Sequence, residues 1–137
     1  MSEKLDGVRC LWTGSKLFSR DGTELAVPDF FKREFPKSPL DGELYIARNK
    51  YKELLSILMN KKRKERDWIG LTFVVFDAPA FNASFKQRLE AMKRVVGGLD
   101  TQFIRLHQFK ACSGREEAHQ YLKEITQKGK HFWEIFC

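Results

Sequence analysis

Lys4, Asp6, Gly7 and Arg9 place an amine, a carboxylate, a flexible backbone position and a guanidinium within one short stretch, Lys4-Leu5-Asp6-Gly7-Val8-Arg9. A lysine amine is a nucleophile only when unprotonated, and a free lysine titrates near ~10.4. Desolvation or a neighbouring cation lowers that value and frees the amine to attack an electrophile. Arg9 is close enough in sequence to be that cation. Gly7 has no Cβ, so its backbone can turn tightly and approach a phosphate. The stretch therefore suits a lysine that attacks phosphorus. Taken alone, it equally suits an exposed turn with ordinary surface charges.

Further along the chain, other residues have matching chemistry. Glu43 follows Asp41-Gly42 and opens an alternating apolar stretch. A carboxylate there can partner Mg²⁺, which takes oxygen ligands and usually binds through one or two carboxylates plus phosphates. It can equally be a strand-opening acid beside a turn. Phe76 ends an apolar run; its flat ring suits a purine face, or plain core packing. Lys61, Lys62, Arg63 and Lys64, with Arg66, form the strongest basic cluster. It reads as a solvated loop, a phosphate contact or a nuclear address.

Composition narrows the partners. The chain has 137 residues with 25 Lys and Arg against 18 Asp and Glu, a net charge of +7. That excess favours an anionic partner, nucleic acid above all. The hydrophobic share of 42% supplies a core for one domain and argues against disorder. Cys10, Cys112 and Cys137 fit neither a disulfide framework nor a zinc pattern, which points to a reducing, intracellular setting. His107, His119 and His131 lack metal-ligand spacing and read as surface or satisfied histidines. No apolar run reaches the ~18 residues of a membrane span, and no signal peptide is evident.

The reactive residues need a scaffold, and the patterning predicts one. Val8 to Trp12 and Lys16 to Ser19 read as a hairpin, which puts Lys4 in the turn before the first strand. Ser19-Arg20-Asp21-Gly22 is a second turn. Asp29 to Glu34 is a short proline-bounded helix. Asp41-Gly42 is a turn opening a strand at Glu43. Tyr51 to Met59 is a helix, and Gly70 to Ala78 a buried central strand. Asn82 to Val96 is an amphipathic helix with Phe85, Leu89, Met92 and Val96 inward and a capping box at Ser84 and Gln87. Phe103 to Phe109 reads as a strand. A second capping box, Ser113 with Glu116, starts a helix through Lys128, with Ala118, Tyr121, Leu122 and Ile125 inward and Gly129 as its C-cap.

In this order the motifs resemble the covalent nucleotidyltransferases and, within them, the ATP-dependent DNA ligases. Glu3-Lys4-Leu5-Asp6-Gly7-Val8-Arg9 resembles the ligase form of the family's first motif rather than the mRNA-capping form. Ser19-Arg20-Asp21-Gly22, Asp41-Gly42-Glu43 and Phe76-Asp77 resemble the motifs that follow. The resemblance implies an α+β fold, an antiparallel-sheet, ATP-grasp-like adenylation domain, present in part over residues 1–129. It implies that Lys4 takes AMP from ATP as a phosphoramidate and that Asp6 helps position it. It gives Arg9 and Arg20 contacts to the nucleotide or the nick phosphate. Glu43 would meet the ribose and the Mg²⁺, and Phe76 would stack on adenine. The implied partner is nicked duplex DNA, sealed by a monomer in repair, replication or recombination. An RNA ligase, a capping enzyme and a non-catalytic fragment that binds ATP or DNA weakly are the alternatives. Residues 130–137 depart from the family: Glu134 precedes Ile135 rather than glycine, and neither a Lys-x-Lys motif nor an oligonucleotide-binding domain follows. The expectation for this chain is slow self-adenylation at most.

Overall fold

A computed structural model describes residues 1–60, 62 and 64–128. The described residues fall into two compact units. The larger, Asp6–Leu106, holds a six-stranded sheet in the order β3-β2-β1-β4-β5-β6. Its strands are β1 (Val8–Trp12), β2 (Leu17–Ser19), β3 (Glu24–Leu25), β4 (Leu40–Tyr45), β5 (Thr72–Asp77) and β6 (Ile104–Leu106). The unit's helices are α1 (Asp29–Lys32), α2 (Tyr51–Met59) and α3 (Phe85–Val96), with a 3₁₀ turn at Glu65–Trp68.

Neighbouring strands run antiparallel except β5 and β6, which are parallel. A parallel pair cannot be joined by a hairpin and needs a crossover. Helix α3 lies between these two strands in sequence and packs on both. Ser84 starts it: the Gln87 N–H donates to the Ser84 hydroxyl, and the Ser84 N–H donates to the Gln87 side chain. The predicted capping box is thus formed, while the helix begins at Phe85 rather than Asn82.

One face of the sheet is aromatic. Trp12, Phe31, Phe35, Trp68 and Phe73 are buried together with Leu17, Leu40 and Leu44. Phe31 meets Phe35, Trp68 and Phe103 at centroid distances of 5.4, 5.1 and 5.3 Å. Each fully buried side chain of this size contributes about 1.5–3 kcal/mol of hydrophobic stabilisation. The Trp12 indole, buried in this layer, donates its N–H to the Pro36 carbonyl at 2.6 Å. The 3₁₀ turn, absent from the sequence reading, places Trp68 in this layer.

Strand β6 covers only Ile104–Leu106 of the stretch from Phe103 to Phe109 predicted as a strand, and two further expectations need correction. Strand β4 starts at Leu40, so Asp41 and Gly42 lie within it rather than in a turn before it. A Cβ at Gly42 would meet the Val74 carbonyl oxygen at 2.6 Å and the Phe73 ring at 2.8 Å. This glycine serves close packing between strands, not a bend. The second is Phe85, which is 44% exposed and not inward; Ala91, Met92 and Val96 form the buried face of α3.

The smaller unit combines Met1–Leu5 with the described residues from His107 to Lys128. Its helix, α4 (Arg115–Lys128), buries Ile125. Ser2 forms an antiparallel bridge to Phe109, and the Lys110 N–H donates to the Met1 carbonyl at 2.8 Å. The side chain that Ser113 engages is Glu117, one position beyond the one predicted. Ser113 donates both its N–H and its hydroxyl to that carboxylate, which holds Glu117 below the usual carboxylate range. Gly129 and the divergent segment 130–137 lie outside the described residues.

Candidate active site

Alternation along the strands decides which side chains share a face. Cys10, Trp12, Leu40 and Leu44 point into the aromatic layer. Arg9, Asp41, Glu43 and Phe76 alternate with that set, and cross-strand register pairs Arg9 with Glu43 and Leu11 with Asp41. Strands β1, β4 and β5 thus bring together, on the face opposite the core, three residues that lie far apart in sequence: Arg9, Glu43 and Phe76.

The contacts within this group are specific. Arg9 makes a two-pronged ion pair with Asp41, with Nε–Oδ1 at 3.3 Å and an Nη–Oδ2 distance of 2.7 Å. Hydrogen bonding and charge attraction from Asp41, with smaller contributions from Glu43 and Asp77, raise the guanidinium's pKa above its ordinary value. The same guanidinium lies 5.6 Å from the centre of the half-buried Phe76 ring, a cation–π contact. The Gly7 N–H donates to Glu43 Oε1 at 3.1 Å. A Cβ on Gly7 would stand 2.3 Å from the Leu44 carbonyl oxygen and 2.7 Å from Glu43 Cγ. Glycine is needed here because the motif's turn presses against β4. The turn and the carboxylate hold each other in place.

The sequence alone marks Asp41 only as a turn residue. The signal that would have found it is its spacing of two from Glu43 on an alternating strand. Asp77, the acid after Phe76, is held by Arg88 from α3 at 2.7 Å, and Arg88 also donates to the Ala83 carbonyl. That clamp fixes the chain just past Phe76.

The remaining candidates lie elsewhere. Lys4 and Asp6 are exposed. Lys4 belongs to the smaller unit, where the carbonyl of its neighbour Glu3 is bound by His107. Arg20 is exposed in the β2–β3 turn, whose shape comes from Ser19 and Thr23 hydroxyls donating to Asp21. Among the described residues no hydrogen bond or ion pair joins Arg20 to the Arg9–Asp41 group. Lys62 and Lys64 are exposed beside the 3₁₀ turn; Lys61 and Arg63 lie outside the described residues. Burial pushes the Cys10 thiol up to about 12, so it remains an inert core thiol.

The donor set can be tested against a magnesium ion. Among the described residues no three His, Cys, Asp or Glu side chains cluster to hold a metal. Glu43 is an oxygen donor fixed by Gly7, which fits an ion carried mostly by phosphate oxygens. A fixed carboxylate, an oriented guanidinium and an aromatic ring on one face can together take a nucleotide's ribose, phosphate and base.

No protein-family model matches the sequence. The DNA ligase of Haemophilus influenzae is 34% identical over 125 residues, which take in 91% of this chain and 46% of that protein. A solved Lig E DNA ligase structure superposes with a TM-score of 0.85 at 29% identity, covering 93% of this chain and 50% of that one. Over these residues the chain is similar to DNA ligases. The fold is theirs as well: the Chlorella virus DNA ligase-adenylate matches with a TM-score of 0.70 at 18% identity, over 93% of this chain and 50% of that one. The chain spans about half the length of the proteins it matches. Among the described residues no helix is long and apolar enough to cross a membrane.

Proposed function

We propose that this chain carries the nucleotide-transfer chemistry of an ATP-dependent DNA ligase. The observation that supports it most is the convergence of Arg9, Glu43 and Phe76 on one sheet face, downstream of Lys4 in the first motif. In this reading the Lys4 amine forms a P–N bond to the α-phosphorus of ATP. The bond to pyrophosphate breaks, and the amine gives up its proton. A 5′-phosphate oxygen at a nick then bonds to the AMP phosphorus as the P–N bond to Lys4 breaks and the amine regains a proton, and the 3′-hydroxyl displaces AMP to close the strand. Phe76 offers a ring to adenine, Glu43 meets the ribose, and Arg9, aimed by Asp41, faces phosphate charge. Asp6 orients the lysine. Glu43 would be the residue that holds a magnesium ion, which would supply neutralisation of phosphate charge. The protein's share of the work is positioning and electrostatics. Nicked duplex DNA as substrate, the monomeric state and an intracellular site of action belong to the same proposal, as does the reading of residues 1–129 as part of an adenylation domain. The test is incubation with α-labelled ATP and magnesium. Covalent label on the chain is the expected result, and its absence at saturating ATP would refute the reading.

Two expectations follow for binding. Phe76→Ala should weaken ATP binding while costing less than the about 3–5 kcal/mol of a buried Phe→Ala change, because the ring is only half-buried. A thermal melt and an ATP titration separate the two effects; a full core-sized loss of stability with unchanged ATP affinity would mark Phe76 as a packing residue. DNA binding should be sequence-independent and salt-sensitive, with Lys62 and Lys64 among the phosphate contacts. Each such lysine replaced by glutamine should flatten the slope of log affinity against log salt by about 1. A slope that ignores both changes would remove these lysines from the interface.

A further inference from the structure

His107 is 7% exposed, and it and Ser2 are the buried polar residues among those described. Its Nε2 lies 2.7 Å from the Glu3 carbonyl oxygen. That oxygen can only accept, so Nε2 carries the proton and donates. The ring is also held edge-on by Phe109, with centroids 5.3 Å apart. Phe109 in turn bridges Ser2. The peptide of Glu3 leads directly into Lys4. Two contacts on adjacent residues, the Ser2 bridge and the His107 bond to Glu3, therefore fix the backbone that carries the lysine. Lys4 itself is exposed. A long side chain on a mobile terminal segment would sample many positions, and chain ends are poorly ordered unless tied down.

We infer that His107 is a positioning residue for the Lys4 nucleophile: its Nε2–H anchors the Glu3 carbonyl and holds the lysine's backbone in one place for attack on phosphorus. This rests on the reading of Lys4 as the AMP acceptor. His107 does not touch the reacting atoms. It removes freedom from the attacking group before ATP arrives, and a misplacement of about 1 Å in such a group costs about 10²-fold in rate.

The test compares two substitutions in the full chain. His107→Phe keeps a planar ring against Phe109 and removes the donor. His107→Gln places an amide N–H near the former Nε2 and discards the ring. Labelling from α-labelled ATP and magnesium is followed at saturating and subsaturating ATP, with melting curves for both variants. At saturating ATP, His107→Phe should label about 10²-fold more slowly, with half-saturation by ATP unchanged, and His107→Gln should recover most of that loss. Wild-type speed in His107→Phe would overturn the inference. So would equal slowing in both variants that tracks a drop in melting temperature, because that marks a packing role. A wild-type chain that takes no label would instead overturn the assignment of Lys4, and this inference with it.

Discussion

Lys4→Ala should abolish covalent labelling by α-labelled ATP while leaving the fold intact. The side chain is exposed, and surface substitutions usually change stability by no more than about 0.5 kcal/mol. Its removal takes away the only group proposed to bond to phosphorus. Lys4→Arg sharpens the result. Arginine keeps the positive charge but stays protonated at any pH the protein tolerates, so it has no lone pair to offer. If Lys4 served only to attract the triphosphate, Lys4→Arg would retain labelling. If it is the nucleophile, both variants are silent. The expected adduct is a phosphoramidate, whose P–N bond breaks in acid and survives alkali. Label that persists in Lys4→Ala, or that survives acid, would place the AMP on another group and end the assignment.

Much of the scaffold was legible because its signals are local. Strand β1 has the predicted bounds, and so does α2, since alternation and helical spacing of leucines are written in consecutive residues. The Ser84 cap was equally visible. What escaped depends on partners distant in sequence. Gly42 looks like a turn residue until Phe73 and Val74 are laid beside it. Arg9 looks like a neighbour for Lys4, yet its bonded partner is Asp41, one strand away. Gly7 looks in the sequence like clearance for a phosphate; in the fold it makes room for the Leu44 carbonyl and the Glu43 side chain. Phe85 keeps the helical spacing of Leu89, Met92 and Val96, but periodicity names a face without saying how far along it the sheet extends. At that end Arg88 reaches toward Asp77 and passes 5.7 Å from the Phe85 ring centre. His107, which the sequence marks as a surface or satisfied histidine, bonds the residue next to Lys4, which no local pattern could reveal.

Glu43 is the residue whose two possible roles can be separated most sharply. Its Oε1 accepts the Gly7 N–H, and register sets it opposite Arg9. Glu43→Ala removes both the acceptor and the charge. A hydrogen bond to a charged group contributes about 1.5–3 kcal/mol, the upper limit for this half-buried contact, so some destabilisation should appear in a melt. Labelling should fall by about 10²–10³-fold, the usual cost of deleting one preorganised charge partner. Glu43→Gln is the informative variant. Its amide oxygen can still accept from Gly7, so the turn before β1 keeps its shape, while the negative charge is gone. If Glu43 acts only as a brace for Gly7, the glutamine variant labels at the wild-type rate. If the carboxylate meets the ribose and the magnesium-bearing phosphates, the variant melts like wild type yet labels about 10²-fold more slowly and needs more magnesium for half its maximal rate. The second outcome is expected, because an oxygen donor without charge is a poor partner for Mg²⁺. Wild-type labelling and magnesium dependence in Glu43→Gln would reduce this carboxylate to a structural brace. The electrostatic work on this face would then fall to Arg9, held in place by Asp41.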